Sequence, residues 1–436
     1  MDDVLQHAWS YGHEGGFMTH RITHPTRVVT LMVLVLVTGF IGVFNWTPRN
    51  AQAACINPPH VKGVNIIRCD GTTIYLRGAS QPSAYNFQSD WTNSTKSDPN
   101  AAGNPLNPTT LSVMANTWLM NAIRIPVSAY IYNEINNPVC GGSCQSLYLS
   151  RLSTTVTNAT SNTNKLYVIF ALFDDGQAND PTANGMLTLD DVNFLGTLAT
   201  TFASNSRVLG FDTINEPNGY TSWSQWLNGD HVNGIYGQQD AVNAIRNTGA
   251  KQIIVLESGK NAGGGVRCTD GAGYHHDGGW NGWSSTYLPS DSQKALMFSK
   301  HDYSDVVADR SDIVPCQLGS LNGSSGPYGV WPTYMGEWAG LAHPLYPSDC
   351  QADGNILSSS NADQYVTDWM NNLQTANNGS PVNWTGWDFR NYEMVTDNNT
   401  NTPTSYDDNS WTCTDTNGDN SQEGMGNQVK SWLATH

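Results

Sequence analysis

Short apolar segments alternate with segments of helical periodicity along most of the chain. The segments predicted as strands are Ile74–Arg77, Ala122–Pro126, Leu166–Leu172, Val208–Ile214, Gln252–Leu256, Leu296–Lys300, Thr333–Gly336 and Asn383–Trp387. Helices are predicted at about Leu111–Met120, Leu147–Ala159, Leu189–Ala203, Asp240–Asn247, Asp363–Thr375 and Met425–Ala434. Strands that alternate with helices form parallel β/α units. Eight such strands and a closing helix predict the α/β class, as a (β/α)8 TIM barrel rather than an open sheet.

Two segments depart from this regular alternation. Ser258–Tyr287 is rich in Gly and Trp, so we expect a long βα loop where a fifth helix would stand. Ahead of the first strand, Val64–Arg68 and Thr72–Leu76 flank Cys69-Asp70-Gly71, the signature of an N-terminal β-hairpin. We expect this hairpin to close the bottom of the barrel.

The first 53 residues have the pattern of an export signal. Arg21 and Arg27 precede an apolar run, Val28 to Phe44, and Ala51-Gln52-Ala53 supplies the small residues of a cleavage site. We therefore expect residues 1–53 to be a signal peptide cleaved near Ala53-Ala54, a secreted protein, and one folded domain over 54–436. The apolar run is long for a signal, so an uncleaved membrane anchor is the alternative.

Eight cysteines follow this leader, and an even number in an exported chain predicts disulfides. Their spacing suggests the pairs Cys55–Cys69, Cys140–Cys144, Cys268–Cys316 and Cys350–Cys413, the last two by elimination only. Sequence alone does not determine the pairing.

The formal net charge of −17 makes nucleic acid and anionic membranes poor partners. A neutral ligand is compatible with it, and 15 Trp and 18 Tyr suit a sugar, which presents both C–H faces and hydroxyls. We expect a monomer with no stable membrane partner and no cofactor.

No metal site is predicted. The motif Cys140-Gly-Gly-Ser-Cys144 stands alone, which argues against zinc. The segment Asp415–Asp419 resembles part of a calcium loop, but Asn420 and Gly426 stand where an EF-hand requires Gly and Glu. A solvated turn is the simpler interpretation.

Two carboxylates stand where apolar strands end. In Gly210-Phe-Asp-Thr-Ile-Asn-Glu-Pro217 the proline stops the strand, so Asn215 and Glu216 fall at its carboxyl end, and Glu337 has a similar setting in Tyr334-Met-Gly-Glu-Trp338. In a β/α barrel such ends form the mouth. A retaining glycosidase needs one carboxylic acid and one nucleophilic carboxylate across the sugar. Either Glu alone reads equally well as a salt-bridged loop residue, but the pair predicts Glu216 as acid/base and Glu337 as nucleophile.

Other strand ends supply supporting groups. Arg124, within an apolar strand, needs a carboxylate partner and would keep Glu337 ionised, unless it forms an ion pair at the barrel base. At the end of the sixth strand, His301 would contact the sugar or the acid/base, and Tyr303 the nucleophile. Trp387 would form a floor under the sugar. A packed core position is the alternative for these three residues.

These motifs occur in the order found in glycoside hydrolase family 5, the cellulase family, and the chain resembles that family from about Gly63 to Trp432. The motifs are Leu76-Arg-Gly-Ala-Ser80, Ile123-Arg-Ile-Pro126, Asn215-Glu-Pro217, His301-Asp-Tyr303, Gly336-Glu-Trp338 and Trp387. The resemblance implies a barrel with retaining double displacement, and Asn215 as the residue that holds the 2-hydroxyl. It implies catalytic roles for Glu216 and Glu337 and supporting roles for Arg124, His301, Tyr303 and Trp387.

One position departs from the family pattern. Where members usually carry His at the end of the third strand, this chain has Phe173, followed by Asp174. Phe173 cannot donate a hydrogen bond, so Asp174 would substitute or the sugar site is built differently. For further sugar contacts we expect at least one of four tryptophans in the βα loops: Trp223, Trp226, Trp280 and Trp283.

The expected function is cleavage of internal β-1,4 bonds in a neutral β-glucan. The same fold and mechanism acting on β-mannan, mixed-linkage glucan or xyloglucan is the first alternative. A non-catalytic carbohydrate-binding barrel is the second, although it would not need paired carboxylates. A raised pKa is expected for Glu216, because this residue must act as an acid.

Overall fold

The computed structural model describes fourteen stretches of the chain, all within the unit Gln52–His436. They are residues 57–84, 98–101, 104–133, 144–173, 184–259, 268–269, 275–276, 280, 282–302, 326–327, 329–338, 359–389, 394–395 and 425–436. The predicted signal peptide, Asp174, Tyr303 and Asp415–Asp419 lie outside these residues, as does at least one cysteine of each predicted pair. Those expectations remain predictions.

Eight parallel strands form a closed barrel, which confirms the predicted fold class. In chain order, barrel strands one to eight are Arg77–Ser80, Ala122–Val127, Tyr167–Leu172, Val208–Asp212, Ile253–Glu257, Leu296–Asp302, Thr333–Trp338 and Asn383–Gly386. The last strand pairs with the first, with Trp384 beside Arg77, so no edge is left open. Most strands are buried throughout and apolar on both faces, as a parallel sheet covered by helices requires.

The first barrel strand lies further along the chain than predicted. The segment Ile74–Arg77 was expected to form it, but Thr73–Ile74 instead pairs antiparallel with Asn65–Ile67. Together with His60–Lys62 these strands form a three-stranded sheet that contains the predicted hairpin. The barrel strand then starts at Arg77. The reason is a short break at Tyr75 and Leu76, which the apolar pattern alone does not show.

The N-terminal sheet closes the amino end of the barrel. Ile66 and Ile74 are buried in one apolar cluster with residues at the starts of barrel strands, among them Ala122, Tyr167 and Ile253. The predicted place of the hairpin is therefore confirmed. Because the bottom is filled, a polar site can form only at the opposite, carboxyl end.

Helices cover the outside of the barrel at most of the predicted places. In the part of the chain that the structure describes, the α-helices are Pro108–Ser112, Ala129–Tyr132, Gln145–Thr160, Leu189–Phe202, Trp223–Asn228, Gln238–Asn247, Ser359–Leu373 and Gly426–Leu433. The predicted helix Leu111–Met120 is a short α-helix capped by Asn107, followed by the π-helical turn Val113–Thr117. Among the described residues between strands five and six there are only two-residue strands, Cys268–Thr269 and His275–His276, and the 3-10 turn Ser285–Tyr287. In the described part of the chain, no helix is both long and apolar enough to span a bilayer.

Candidate active site

Five polar side chains converge at the carboxyl end of the barrel, each from a different strand. They are Arg124 of strand two, Asp212 of strand four, Glu257 of strand five, His301 of strand six and Glu337 of strand seven. All five are buried, and Arg124 and Asp212 are completely enclosed. Burial of so many charges is costly unless they are paired, so their mutual contacts define the site.

Arg124 is the centre of this cluster. Its Nη1 donates to Glu337 Oε1, as predicted, while Nη2 lies 2.9 Å from Asp212 Oδ2 and 3.2 Å from Glu257 Oε1. Burial alone would lower the pKa of Arg124, but the three carboxyl groups outweigh it and raise the pKa well above its usual value. The ion pair with Glu337 lies at the barrel mouth, so the alternative of an ion pair at the base is wrong.

Asn215 is oriented by the same guanidinium. Its side-chain Oδ1 accepts a hydrogen bond from Arg124 Nη2 at 2.9 Å, and its backbone N–H donates to the carbonyl of Leu172 at 2.7 Å. The residue is almost fully buried. Since the acceptor end of the amide is engaged by Arg124, the Nδ2 hydrogens are the part of this side chain suited to a hydroxyl ligand.

Glu216 has an unusual backbone conformation. Its φ of +45° lies in the left-handed region that non-glycine residues seldom adopt. The conformation is held by a hydrogen bond from the Glu216 N–H to Glu257 Oε2 at 2.7 Å. The side chain is 40% exposed, in contrast to Glu337 at 5%. Of the two predicted catalytic carboxylates, Glu216 therefore faces solvent and Glu337 is enclosed.

His301 bridges the carboxylates of the site. Its Nδ1 lies 2.9 Å from Glu216 Oε1 and 3.5 Å from Glu337 Oε2, and its Nε2 lies 2.8 Å from Glu257 Oε1 as an ion pair. The predicted contact of His301 with the acid/base candidate is confirmed. The ring comes this close to strand seven because Gly336 has no side chain: a Cβ there would lie 2.7 Å from His301 Nε2.

The neighbouring charges shift the pKa of each group. Burial alone would lower the pKa of His301, but Glu257 and Glu337, with the hydrogen bond to Glu216, raise it to about 10. Burial likewise opposes the charge on Glu257, yet His301 and Arg124 lower its pKa to about 2. For Asp212, burial and then the charge of Glu257 raise the pKa well above normal. The site thus holds an imidazolium between ionised carboxylates.

The expectation of a raised pKa for Glu216 is wrong for this state of the site. Burial acts in the expected direction, but the hydrogen bond and positive charge of His301 are stronger and lower the pKa of Glu216. The proton that an acid would need is therefore held on the His301 side of the pair.

Aromatic rings form one side of the site. Trp387 is half-buried, and its ring stacks on that of Phe173 with centroids 6.0 Å apart and an interplanar angle of 11°. The guanidinium of Arg124 lies 5.2 Å from the centroid of the Phe173 ring, a cation–π contact. The ring of Phe173 thus contacts both Arg124 and Trp387, and it carries no hydrogen-bonding group.

The four loop tryptophans do not form sugar platforms in this structure, and that expectation is wrong. Trp223, Trp226, Trp280 and Trp283 are all at most 5% exposed and pack on one another. Two of them hold strand ends: Trp226 Nε1 donates to the carbonyl of Glu257 at 2.9 Å, and Trp280 Nε1 to that of Ser299 at 3.0 Å. The cluster therefore supports the strands that carry Glu257 and His301.

Sequence reasoning missed Asp212 and Glu257. Both lie at the carboxyl ends of apolar strands, the same signal that identified Glu216 and Glu337. Glu257 was overlooked because strand five was predicted to end at Leu256, one residue early. Asp212 is hard to recognise because the run around it is otherwise apolar and shows no polar face.

Glu216, His301 and Glu337 also offer one possible metal-ligand atom each, all within 4.8 Å of one another. A metal needs neutral imidazole, and the carboxylates around His301 raise its pKa to about 10. These three residues therefore fit an imidazolium bridge better than a metal ion.

Comparisons with known proteins agree with this architecture. Residues 81–393 match the family model described as cellulase (glycosyl hydrolase family 5). A β-glucanase from Saccharophagus degradans, solved with cellotetraose, superposes with a TM-score of 0.54 at 14% identity, covering 87% of this chain and 93% of its own. The catalytic domain of an endoglucanase from Thermobifida fusca gives a TM-score of 0.50 at 18% identity, covering 87% and 98%.

A search of curated proteins finds no match. At these identities the structural likeness establishes the fold, while the family match extends over most of the chain and includes every described polar residue of the site. The chain therefore belongs to glycosyl hydrolase family 5, and it is a glycoside hydrolase with a (β/α)8 barrel.

Proposed function

We propose that this glycoside hydrolase is secreted and cleaves internal β-1,4 bonds of a β-glucan by retaining double displacement. The observation that carries the proposal is the spacing of the two carboxylates. One oxygen of Glu216 and one of Glu337 lie within 4.8 Å of each other. This is compatible with the separation of about 5 to 5.5 Å between the carboxyl groups of retaining enzymes.

Glu337 is assigned as the nucleophile. It is enclosed and hydrogen-bonded to Arg124, and a guanidinium at contact distance favours the ionised carboxylate. It attacks the anomeric carbon as the bond to the leaving oxygen breaks, and an ester between the sugar and Glu337 results.

Glu216 is assigned as the acid/base. Its partial exposure and its contact with His301 support a role in passing a proton to the leaving oxygen. In the second step Glu216 accepts a proton from water, the water oxygen attacks the anomeric carbon, and the ester to Glu337 breaks. The proton given in the first step is thereby returned, and both carboxylates regain their initial state.

The supporting residues fit a sugar bound at the mouth. Asn215 presents amide hydrogens suited to the 2-hydroxyl, and the half-buried Trp387 offers a ring for a sugar face. A glucan is favoured as substrate because the described structural neighbours are a β-glucanase and an endoglucanase. Export rests on the leader at residues 1–53.

The test is the release of reducing ends from carboxymethylcellulose, barley glucan, glucomannan, galactomannan, xyloglucan and xylan. We expect activity on the β-1,4-glucans, and a loss of roughly 10⁴-fold or more in kcat for Glu337→Gln. Glu216→Gln should lose less on substrates with good leaving groups, because those need little proton donation. Activity confined to galactomannan would assign the mannan alternative. Binding without cleavage by the wild-type enzyme would contradict the proposal.

A further inference from the structure

Glu257 is a third carboxylate in contact with the predicted acid/base, and neither step of the double displacement uses it. We propose that Glu257 is a positioning residue that holds the Nε2 proton of His301, so that the Nδ1 proton supplies Glu216. This inference rests on the proposed role of Glu216 as acid/base.

The first argument is the geometry of the imidazole. Glu257 Oε1 lies 2.8 Å from Nε2, and Glu216 Oε1 lies 2.9 Å from Nδ1, so the ring stands between two carboxylates. The Nε2–H makes no aligned hydrogen bond to a described residue, so the charge of Glu257 acts on this proton as an ion pair, and the proton that can leave is the one on Nδ1. That proton faces Glu216.

The second argument is the backbone of Glu216. The other oxygen of the same carboxylate, Glu257 Oε2, accepts the Glu216 N–H at 2.7 Å and so supports the left-handed φ of +45°. One carboxylate therefore positions both members of the Glu216–His301 pair. Its own place is set by Arg124 at 3.2 Å and by the indole of Trp226 on its carbonyl.

The proton balance of the cycle follows from these contacts. In the first step the Nδ1 proton of His301 passes through Glu216 to the leaving oxygen, which leaves Glu216 ionised and the imidazole neutral, protonated at Nε2. In the second step the proton removed from water returns through Glu216 to Nδ1. No proton is gained or lost over one turnover, and Glu257 stays ionised throughout.

Several charged groups act on His301 among the described residues. Glu216, Glu257 and Glu337 are in contact or near contact, Asp212 lies in the same cluster, and Arg124 opposes them from strand two. Lys300, the preceding residue, also acts on Glu216. Because these groups titrate together, the pair loses its proton with a macroscopic pKa. Removing the negative charge of Glu257 must lower that pKa.

The test is the pH profile of kcat/KM for Glu257→Gln, with Glu257→Asp as the conservative variant. We expect the basic limb of Glu257→Gln to move to lower pH by at least about one unit. Glu257→Asp should keep the limb near that of wild type even if its rate falls. A role limited to packing would lower kcat/KM equally at every pH in both variants, and that result would overturn the proposal.

Asp212→Asn is the matched control. Asp212 contacts Arg124 rather than His301, and Asn keeps a side-chain oxygen that can accept from Arg124. Its basic limb should stay in place. A shift as large as that of Glu257→Gln would mean that the limb reports loss of packing around Arg124, which would also overturn the proposal.

A second readout does not depend on cleavage. In substrate-free enzyme labelled with ¹⁵N-histidine, with His301→Gln to identify the signal, the imidazole should remain protonated to about pH 10. In Glu257→Gln it should lose its proton at a pH lower by at least about one unit. An unchanged titration would refute the role of Glu257, whereas an inactive wild-type enzyme would refute the proposed function alone.

Discussion

Among the described residues, two arginines are buried in the barrel, one at each end, and their partners differ in kind. Arg77, at the start of strand one, donates to the carbonyls of Leu76 and Val382 at 2.7 and 2.9 Å and to Gln374 Oε1 at 3.0 Å. The rings of Tyr75, Trp384 and Trp432 lie 5.7 to 5.9 Å from its guanidinium carbon. Arg124, at the mouth, faces Asp212, Glu257 and Glu337 instead.

The comparison shows which partners are enough to accommodate a buried cation that lies outside the site. Neutral acceptors and aromatic rings suffice for Arg77, and burial lowers its pKa to about 10. The carboxyl groups around Arg124 raise its pKa, and they bring a desolvation cost that apolar residues of similar size would avoid. Clustered ionisable groups with displaced pKa values are characteristic of functional sites. The contacts of Arg77 thus stabilise the barrel base. The buried charged cluster around Arg124 lowers the stability of the fold and supplies the ionisable groups that the chemistry needs.

The largest effect is expected from Arg124→Met. Three carboxyl groups would lose their cation in a buried site, so we expect a loss of about 3 to 5 kcal/mol in the free energy of unfolding. The nucleophile would also lose its main stabilising charge, and kcat should fall by at least about 10²-fold. Urea denaturation and steady-state kinetics measure the two effects. Unchanged activity in a folded variant would contradict the assignment of the barrel mouth as the active site.

Arg77→Met is the matched change at the base. It leaves buried carbonyls without their donor, so we expect a loss of about 1 to 3 kcal/mol in the free energy of unfolding. Because Arg77 contacts no group of the site, kcat per folded molecule should stay within about threefold of wild type. A large fall in kcat while the variant is fully folded would show that the barrel base also affects catalysis, which contradicts the distinction between the two ends.

The pH dependence of stability separates the two ends further. The pKa of His301 is raised from 6.5 to about 10 on folding, so its contribution is complete below pH 6.5 and is lost as pH rises through 10. The pKa of Glu257 is lowered from 4.5 to about 2, so its contribution is present above pH 4.5 and is lost as pH falls through 2.

The combined contribution of His301 and Glu257 to stability should therefore be greatest between about pH 4.5 and 6.5. Between pH 7 and 9.5 the free energy of unfolding should decline in wild type and equally in Arg77→Met. His301→Asn should show a shallower decline, measured by urea titration at each pH. Equal slopes in all three proteins would exclude an imidazolium at the site.

The smallest effect is expected from the tryptophan cluster behind strand five. Trp226→Phe removes the N–H that holds the Glu257 carbonyl, while the remaining rings limit the resulting movement. Since a shift of about 1 Å can cost about 10²-fold, a smaller one should lower kcat by about three- to tenfold. Trp369→Phe, a buried change on helix Ser359–Leu373, is the control and should leave kcat unchanged. Equal changes in kcat for the two variants would show that the tryptophan cluster does not position the active-site residues.

Much of the barrel could be predicted from the sequence because its strands are uniformly apolar and their ends are marked. Pro217 stops strand four directly after Glu216, and Glu337 follows an apolar run, so the rule that mouth residues stand at strand ends placed both. A buried Arg124 required a carboxylate, and the prediction of Glu337 as that partner is confirmed.

The remaining features depend on geometry that no local pattern carries. A boundary error of one residue concealed Glu257, although the same rule applied to it. Aromatic composition does not distinguish a packed ring from an exposed one, so Trp226 and Trp280 were misjudged. The direction of the Glu216 pKa shift depends on His301, 85 residues away in sequence, and on a 2.9 Å contact between them.

The most direct test of Glu337 as the nucleophile is to trap the covalent intermediate. An activated 2-deoxy-2-fluoro-β-cellobioside slows hydrolysis of the glycosyl ester, so the ester accumulates and can be located by peptide mass spectrometry. We expect one label, on Glu337, with none in Glu337→Gln. A label on Glu257, or hydrolysis with inversion at the anomeric carbon, would contradict it.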